Sequence, residues 1–347
     1  MFIVCKYQKV LPRNIILKMK STVLFLLLAV YTITGHLNGD DEIELSSYRT
    51  RPFGDWTLRL YTNEHPRIGL TDFKDADRSA RTVIIIHGWQ QRENQSWIIQ
   101  MKDVYITQFR INVIVLDWSK DANSGWYLWT VGVVPEVGLW VGDRIYELQT
   151  DGVIHVNTLK VIGHSLGAHV AGYAGQRYQN LTNGEKLSDI VGLDAASPEF
   201  EFKSDDQRLD ASDARMVQAF HTSTSGMSSR YGKVDVYFNY HVLFGGCGKS
   251  QPGCPTQPGV PIDSLFGTLF CEHVRSIAYY IESIQSRKFL AVPCTCSNFK
   301  ANKCKNISSI IVGENLSPTA EDGEYYLTTT YKAPFALEAQ DLQESLD

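Results

Sequence analysis

The segment Gly163-His164-Ser165-Leu166-Gly167 places a serine between two glycines, directly after a short β-branched run and directly before a helical pattern. A strand, G-x-S-x-G and a helix in this order are typical of a nucleophile elbow, a tight turn that exposes a serine hydroxyl above a sheet. Side chains two positions to either side of the serine would collide. The pattern predicts Ser165 as the nucleophile of acyl transfer, and the alternative is a glycine-rich turn without chemistry.

A serine hydroxyl needs an orienting acid and a base, and after an elbow of this kind the acid precedes the histidine in the chain. Asp194 lies 29 residues after Ser165 and ends the apolar run Val191 to Leu193. The next strand of the sheet would present this carboxylate at the same edge as the serine. We therefore predict Asp194 as the acid; its alternative role is a turn cap.

Only three of the nine histidines follow Asp194. We predict His273 as the base, because it stands at the start of the helical pattern Glu272 to Ser286 and beside Cys271, which would hold its backbone firmly. His221 is expected at a strand end as a structural hydrogen-bonding residue. His241 falls in a tract too irregular to interpret.

The oxyanion formed during acyl transfer needs two backbone donors. One is predicted to be the N–H of Leu166, at the N-terminus of the helix after the elbow. The other should follow an early strand, where the sequence has His87-Gly88-Trp89. We predict the N–H of Trp89 as this second donor, with its indole lining an acyl pocket; the alternative is a tight turn with a core tryptophan.

Alternating strand and helix patterns surround these residues. Apolar runs of strand length, ended by polar or glycine residues, predict five buried strands: Thr82 to Ile86, Asn112 to Asp117, Thr158 to Ile162, Asp189 to Leu193 and Met216 to Phe220. Helical spacing is found from Pro135 to Leu148 and again from Leu166. This alternation predicts the α/β class with a mostly parallel, doubly wound sheet.

The chain beyond Phe220 is less regular. Gly, Pro, Cys and Ser dominate from Gly245 to Pro261, and the helix Glu272 to Ser286 follows. The alternating pattern Tyr325 to Thr330 predicts an edge strand. With no internal repeat or linker, we expect one domain at residues 37–337 and a polar tail at 338–347.

The first 36 residues have the layout of a signal peptide: basic residues, an apolar run from Val23 to Ile33, then small and polar residues. A membrane anchor is the alternative, but a spanning helix needs about 20 apolar residues. Met19, followed by Lys20, would begin a more ordinary signal peptide than Met1. These features predict secretion.

Cysteine and sequon placement agrees with an extracellular location. The six cysteines outside the leader lie in the last third of the chain and lack zinc-site spacing, which predicts three disulfides: Cys247, Cys254, Cys271, Cys294, Cys296 and Cys304. Four sequons are candidate glycosylation sites: Asn94, Asn180, Asn306 and Asn315. The net charge of -5, without a basic stripe, argues against nucleic acid as a partner.

Taken in order and spacing, these segments resemble the animal pancreatic lipase family, in particular its short phospholipase A1 and insect neutral-lipase branches. The resemblance runs from about Phe53 to Phe335 and rests on these motifs: His87-Gly88-Trp89, Gly163 to Gly175, Gly192-Leu193-Asp194, Arg208-Leu209-Asp210-Ala211-Ser212-Asp213, His221-Thr222 and Cys271-Glu272-His273-Val274-Arg275-Ser276. It implies an α/β-hydrolase fold, the triad Ser165, Asp194 and His273, and hydrolysis of lipid esters.

The resemblance also implies a disulfide pattern and a metal site. Cys254 would pair with Cys271 and Cys294 with Cys304, which leaves Cys247 and Cys296 as an extra pair. A structural calcium would map to Asp205, the Arg208 carbonyl, Asp210 and Asp213, which are oxygen ligands in a loop. An acidic, solvated turn is the alternative. The chemistry itself requires no cofactor.

Substrate preference follows from departures within the family. The lid resembles the stretch between Cys254 and Cys271, which has only 16 residues, and no C-terminal β-sandwich or colipase-binding part is expected after Phe335. A short lid resembles that of phospholipases A1 and favours a phospholipid at a membrane or lipid–water interface. Triacylglycerol or galactolipid is the alternative substrate. A carrier role, as in yolk proteins that resemble the family, is the alternative from another class, but those proteins lack the serine.

Overall fold

The computed structural model describes residues 54–243, 246–254, 262–301, 303–304 and 307–337, with only the backbone at 240–249, 262–269 and 300. Residues Pro52–Asp347 form one compact unit. The predicted signal peptide, the alternative start at Met19 and the tail at 338–347 lie outside the described residues. The domain boundaries at 37 and 337 stay a prediction.

Twelve strands and six helices are found in the described part of the chain. The strands are β1 Thr57–Tyr61, β2 Arg81–Ile86, β3 Ile111–Asp117, β4 Leu159–His164, β5 Leu187–Leu193, β6 Ala214–His221, β7 Val234–Phe238, β8 Tyr240–Leu243, β9 Gly246–Lys249, β10 Leu290–Pro293, β11 Ile310–Ile311 and β12 Gly323–Leu327. The helices are α1 Ser96–Gln108, α2 Ser119–Ala122, α3 Tyr127–Thr150, α4 Leu166–Leu181, α5 Ile262–Gln285 and α6 Cys296–Lys300.

Ten strands form one sheet in the order β1-β3-β2-β4-β5-β6-β7-β12-β10-β11. The seven central strands, β3 to β12 in this order, are parallel, while β1 and β10 join them antiparallel. All five predicted strands are present, and the mostly parallel sheet is confirmed. Because parallel strands end at one edge, the residues after β2, β4, β5 and β6 lie along the same side of the molecule.

Three predicted element positions are wrong. Helix α3 begins at Tyr127 and contains Pro135, and α5 begins at Ile262 rather than Glu272. The strand predicted as an edge is β12, which lies between β7 and β10. Its tyrosines explain the error, because Tyr325 and Tyr326 are buried although the alternation looked amphipathic. A tyrosine buries its ring and keeps its hydroxyl available for a hydrogen bond.

Two apolar layers cover the faces of the sheet. Helices α3 and α4 pack on one face, with Val137, Val141 and Ala174 in that layer. Helices α1 and α5 pack on the other, where Met101, Tyr105 and Tyr280 are among the buried residues. The two layers bury both faces of the central strands. Among the described residues, no helix is both long and apolar enough to cross a membrane.

Candidate active site

Ser165 forms the turn between β4 and α4, with φ 57° and ψ -123°. This left-handed conformation is costly for a residue other than glycine and is often found at functional sites. A Cβ at Gly163 would lie 2.1 Å from the Gly167 oxygen, and one at Gly167 would lie 2.5 Å from the Ile86 oxygen. The turn therefore requires both glycines, as the sequence predicts, and it leads directly into the helix N-terminus.

Asp194 follows β5 at the same edge of the sheet and is 1% exposed. Its Oδ1 accepts the amides of Thr222, at 2.7 Å, and Ser223, at 3.1 Å. Its Oδ2 accepts the Ser223 hydroxyl and, at 2.7 Å, the Nδ1–H of His273. The carboxylate is thus held by four donors. Since an ionised carboxylate only accepts, the shared proton must sit on His273 Nδ1, which leaves Nε2 as the basic nitrogen.

His273 lies in the middle of α5 and not at its start, since the helix extends eleven residues further towards the N-terminus. Its side chain is 11% exposed. Among the described hydrogen bonds, none joins the His273 ring to Ser165 Oγ. Contacts of this kind are often long before a substrate binds. The structure therefore joins the predicted acid and the predicted base directly and places Ser165 at the adjacent strand end.

His164, which precedes the serine, packs against the base. The two imidazole centroids are 4.5 Å apart, and His164 Nε2 lies 3.3 Å from the His273 carbonyl oxygen. Burial, with a further contribution from the charge of His273, holds the pKa of His164 well below its usual range. This neutral ring can donate from Nε2 to the carbonyl. It connects the strand of the serine with the helix of the base.

The segment after β2 lies against the serine. A Cβ at Gly88 would lie 2.9 Å from Ser165 Cβ, so only glycine allows this approach without a shift. In the described part of the chain, neither predicted oxyanion amide, of Trp89 or Leu166, donates to a protein acceptor. Both are available to a ligand. Burial lowers the pKa of the neighbouring His87 to about 4, so this ring is neutral as well.

The two remaining candidate histidines, His221 and His241, lie in β6 and β8. His221 is fully buried and contacts Asp235 Oδ1 and the Met227 oxygen, both at 2.9 Å. Both ring nitrogens are therefore occupied, in keeping with the expected structural role. His241 lies in β8, where the side chains are outside the described residues.

The predicted calcium loop joins β5 to β6. The Asp205 carboxylate contacts the Arg208 guanidinium, while the Arg208 carbonyl oxygen accepts Gln176 Nε2 at 3.3 Å. Asp213 Oδ2 accepts the Asp210 amide at 2.8 Å, and burial raises the pKa of Asp213 to about 8. No cluster of three or more His, Cys, Asp or Glu side chains suited to a metal occurs among the described residues.

Two of the three predicted disulfides and three of the four sequon asparagines lie among the described residues. The predicted bonds Cys254–Cys271 and Cys294–Cys304 are both present. Cys296 is disulfide-bonded as well, but the side chain of its predicted partner, Cys247, lies outside the described residues. Asn94 and Asn180 are exposed, whereas Asn315 is half-buried; Asn306 lies outside the described residues.

Three residues that support the acid were missed in the sequence. Thr222 and Ser223 follow β6, which neighbours β5, and this adjacency of strand ends was a usable signal. Gln251 gave no signal, because it stands in an irregular Gly-, Pro- and Ser-rich tract. In the structure it is completely buried and bonded to the Thr222 carbonyl.

Comparison with known proteins gives one family and several relatives. The family model described as "Lipase" matches residues 53–335. "Phospholipase A1 member A" of Bos taurus is 32% identical over 74% of this chain and 56% of its own length. "Phospholipase A1 4" of Polistes dominula is 32% identical over 76% of this chain and 81% of its own length. A "phospholipase/Carboxylesterase" structure from Dyadobacter fermentans covers 68% of this chain and is itself covered to 99%, with 10% identity and a TM-score of 0.31.

Proposed function

Because this chain belongs to the lipase family, we propose that it is a phospholipase A1, a carboxylic ester hydrolase that releases the sn-1 fatty acid of phospholipids. Relatives named phospholipase A1 in two animal groups support this substrate class. The observation that carries the chemistry is the 2.7 Å contact between His273 Nδ1 and Asp194 Oδ2 at the sheet edge where Ser165 ends β4.

Ser165 Oγ attacks the acyl carbonyl while His273 Nε2 accepts its proton. The proton then passes to the leaving alcohol, and water repeats the cycle to release the fatty acid. Asp194 keeps the proton on Nδ1 and stabilises the imidazolium. The amides of Trp89 and Leu166 receive the oxyanion, and the N-terminus of α4 adds its positive dipole.

The partner is proposed to be a lipid–water interface. Large apolar side chains are exposed on the segments after β3 and β5 and on the helix of the base: Trp126 52%, Leu128 46%, Phe202 91% and Phe270 57%. Tyr127, between the first two, packs on Trp89 at 5.3 Å and donates to the Pro198 oxygen. These contacts put Trp126 and Leu128 near the catalytic edge, and Phe270 precedes His273 by three residues on α5. A lipid surface would cover these side chains. Secretion, supported by the disulfides, would bring the protein to such surfaces.

We also propose that a calcium ion binds in the β5–β6 loop. Asp213 Oδ2 accepts the Asp210 amide, Gln176 Nε2 donates to the Arg208 carbonyl oxygen, and a cation would offset the cost of burying the Asp213 carboxylate. Asp205 could join them only by leaving the Arg208 guanidinium. The ion would stabilise the loop and take no part in the chemistry.

The test is fatty-acid release by the purified secreted protein from phosphatidylcholine vesicles and from a triacylglycerol emulsion, with position-labelled lipid and Ser165→Ala as the control. We expect sn-1 release from vesicles, and a loss of about 10⁶ in kcat for Ser165→Ala. A preference for the emulsion would instead indicate a neutral lipase. Lipid binding without release from either substrate would favour the carrier role.

A further inference from the structure

Gln251 lies in the segment between β9 and α5 and is completely buried. Every hydrogen-bonding atom of its side-chain amide has a partner. Nε2 donates to the Thr222 oxygen at 2.7 Å and to the Phe238 oxygen at 3.1 Å. Oε1 accepts Asn239 Nδ2 at 2.8 Å and the Tyr279 hydroxyl at 2.9 Å. A buried polar group satisfied on all sides fixes one arrangement of its surroundings.

The Thr222 carbonyl belongs to the peptide group that links Thr222 to Ser223. The N–H of this same peptide group is the Ser223 amide, which donates to Asp194 Oδ1 at 3.1 Å. Gln251 therefore holds one end of the peptide plane while Asp194 accepts from the other end. Rotation of this plane would break both bonds. The side-chain amide of Gln251 therefore fixes the position of the Ser223 N–H that donates to Asp194.

Gln251 is also connected to the base. Its backbone N–H donates to Glu272 Oε1 at 3.4 Å, and Glu272 directly precedes His273. Three residues after Gln251, Cys254 is bonded to Cys271 on the same helix. The segment around Gln251 thus touches the support of the acid and the helix of the base.

From these contacts we propose that Gln251 is a positioning residue that sets the geometry of Asp194 relative to His273 through the Thr222–Ser223 peptide. The proposal rests on the proposed triad. It concerns the hydrogen bond between acid and base, which exists with or without a lipid substrate. Its failure can therefore be distinguished from a wrong substrate class.

Gln251→Met tests this, because methionine has a similar length and makes no comparable hydrogen bonds. We expect kcat on a soluble short-chain ester to fall about ten- to a hundredfold while KM changes little. Tyr280→Phe is the matched control, since it removes a buried hydrogen bond of the helix that carries His273, to Glu314 Oε2 at 2.8 Å, and leaves Gln251 and Thr222 in place. It should lower the melting temperature and keep kcat near the wild-type value.

A spectroscopic readout separates positioning from general destabilisation. The downfield proton resonance of His273 Nδ1, assigned by its loss in Asp194→Asn, should shift or broaden in Gln251→Met and remain in Tyr280→Phe. An unchanged resonance and unchanged kcat in Gln251→Met would overturn the proposal. Equal losses of kcat in both variants would overturn it as well, because the effect would then follow stability alone.

If Gln251→Met does not fold, Gln251→Glu tests the same proposal. The introduced carboxyl has no donor when ionised but regains an O–H when protonated, and burial favours the protonated form. We expect the kcat of this variant, relative to wild type at the same pH, to rise as the pH falls. A ratio independent of pH would contradict the role of the Nε2 donor.

Discussion

Two of the proposed catalytic residues are held in unfavourable backbone conformations. Ser165 has φ 57° and Asp194 has φ 49°. Each follows a strand of the parallel sheet, and the neighbouring strands hold both turns: Ser165 N donates to the Leu193 oxygen and Asp194 N to the Phe220 oxygen. The sheet thus offsets the strain of two adjacent turns and fixes two groups of the triad side by side.

Asp194→Asn should reduce kcat by about 10⁴-fold with little change in KM. The carboxylate accepts from the Thr222 and Ser223 amides, the Ser223 hydroxyl and His273 Nδ1, whereas an amide has only one accepting oxygen. The amide would favour the wrong tautomer of the base. Steady-state kinetics on a soluble ester measure the loss.

Asp235→Asn is the matched control for this change. Asp235 is equally buried and contacts His221 Nε2 at 2.9 Å, but this pair has no part in the proposed triad. It should lower stability and leave kcat nearly unchanged. A large loss of kcat in Asp235→Asn together with a small one in Asp194→Asn would contradict the assignment of acid and base.

The strands and helices that could be predicted are those whose position is set by a local sequence pattern. The strands around Ser165 and Asp194 could be read because a buried parallel strand is a short apolar run ended by polar residues. The start of α5 could not, because Ile262 to Cys271 directly follows the Gly- and Pro-rich tract that ends at Pro261, and it contains Gly267 itself. The place of β12 could not be read either, since strand order depends on contacts distant in sequence. Gln251 was missed because the irregular tract around it has no local pattern and its hydrogen-bond partners are distant in sequence.

The β5–β6 loop gives a prediction about calcium and charge. Burial raises the pKa of Asp213 to about 8, so its cost to stability grows as the pH rises from about 4 to about 8 and is fully present above pH 8. Asp213→Asn should therefore raise the free energy of unfolding at pH 8 by at least about 1 kcal/mol in the absence of calcium. Calcium should raise the melting temperature of the wild type but not of the variant. Thermal unfolding with calcium or with a chelator tests both, and an equal response of the two proteins would exclude Asp213 as a ligand.

The sequons are expected to differ in glycan occupancy, because their asparagines differ in exposure and in hydrogen bonding. Asn315 Nδ2 donates to the Ser283 oxygen at 3.0 Å and the Ser286 oxygen at 3.4 Å, at the end of α5. A glycan there would break one of these bonds. Mass spectrometry of the secreted protein, before and after deglycosylation, should find glycans on exposed Asn94 and Asn180 and none on Asn315. Full occupancy of Asn315 would contradict this expectation.

Across the whole molecule, buried histidines make stability depend on pH. His87, His164 and His169 have pKa values lowered by burial, to about 4 for His87 and about 3 for His169. In His169 the two ring nitrogens are engaged, since Nδ1 accepts the Leu209 amide and Nε2 contacts the Ala196 oxygen. A second proton would break the first of these bonds. The folded state therefore resists protonation of all three rings.

The unfolded chain binds a proton at each of these histidines below about pH 6.5, whereas the folded protein does not until much lower pH. Stability is thus present above pH 6.5 and is lost as the pH falls. Asp213 acts in the opposite direction, because its folded pKa is raised and it holds a proton that the unfolded chain releases. Near pH 5 these four groups together bind two more protons in the unfolded chain, three at the histidines less one at Asp213, and they lower the free energy of unfolding by about 2.7 kcal/mol per pH unit.

Urea unfolding at pH 6, 5.5 and 5 measures this slope. His169→Asn should reduce it by about 1.4 kcal/mol per pH unit, whatever it does to stability at pH 7, because one titrating group is removed. Thr130→Val provides the control, since it removes a buried hydroxyl that does not titrate and should leave the slope unchanged. A slope near zero in the wild type, or one that both variants change equally, would show that the buried rings do not govern acid sensitivity. The expected result would mean that the core around the catalytic edge also sets the acid limit of the fold.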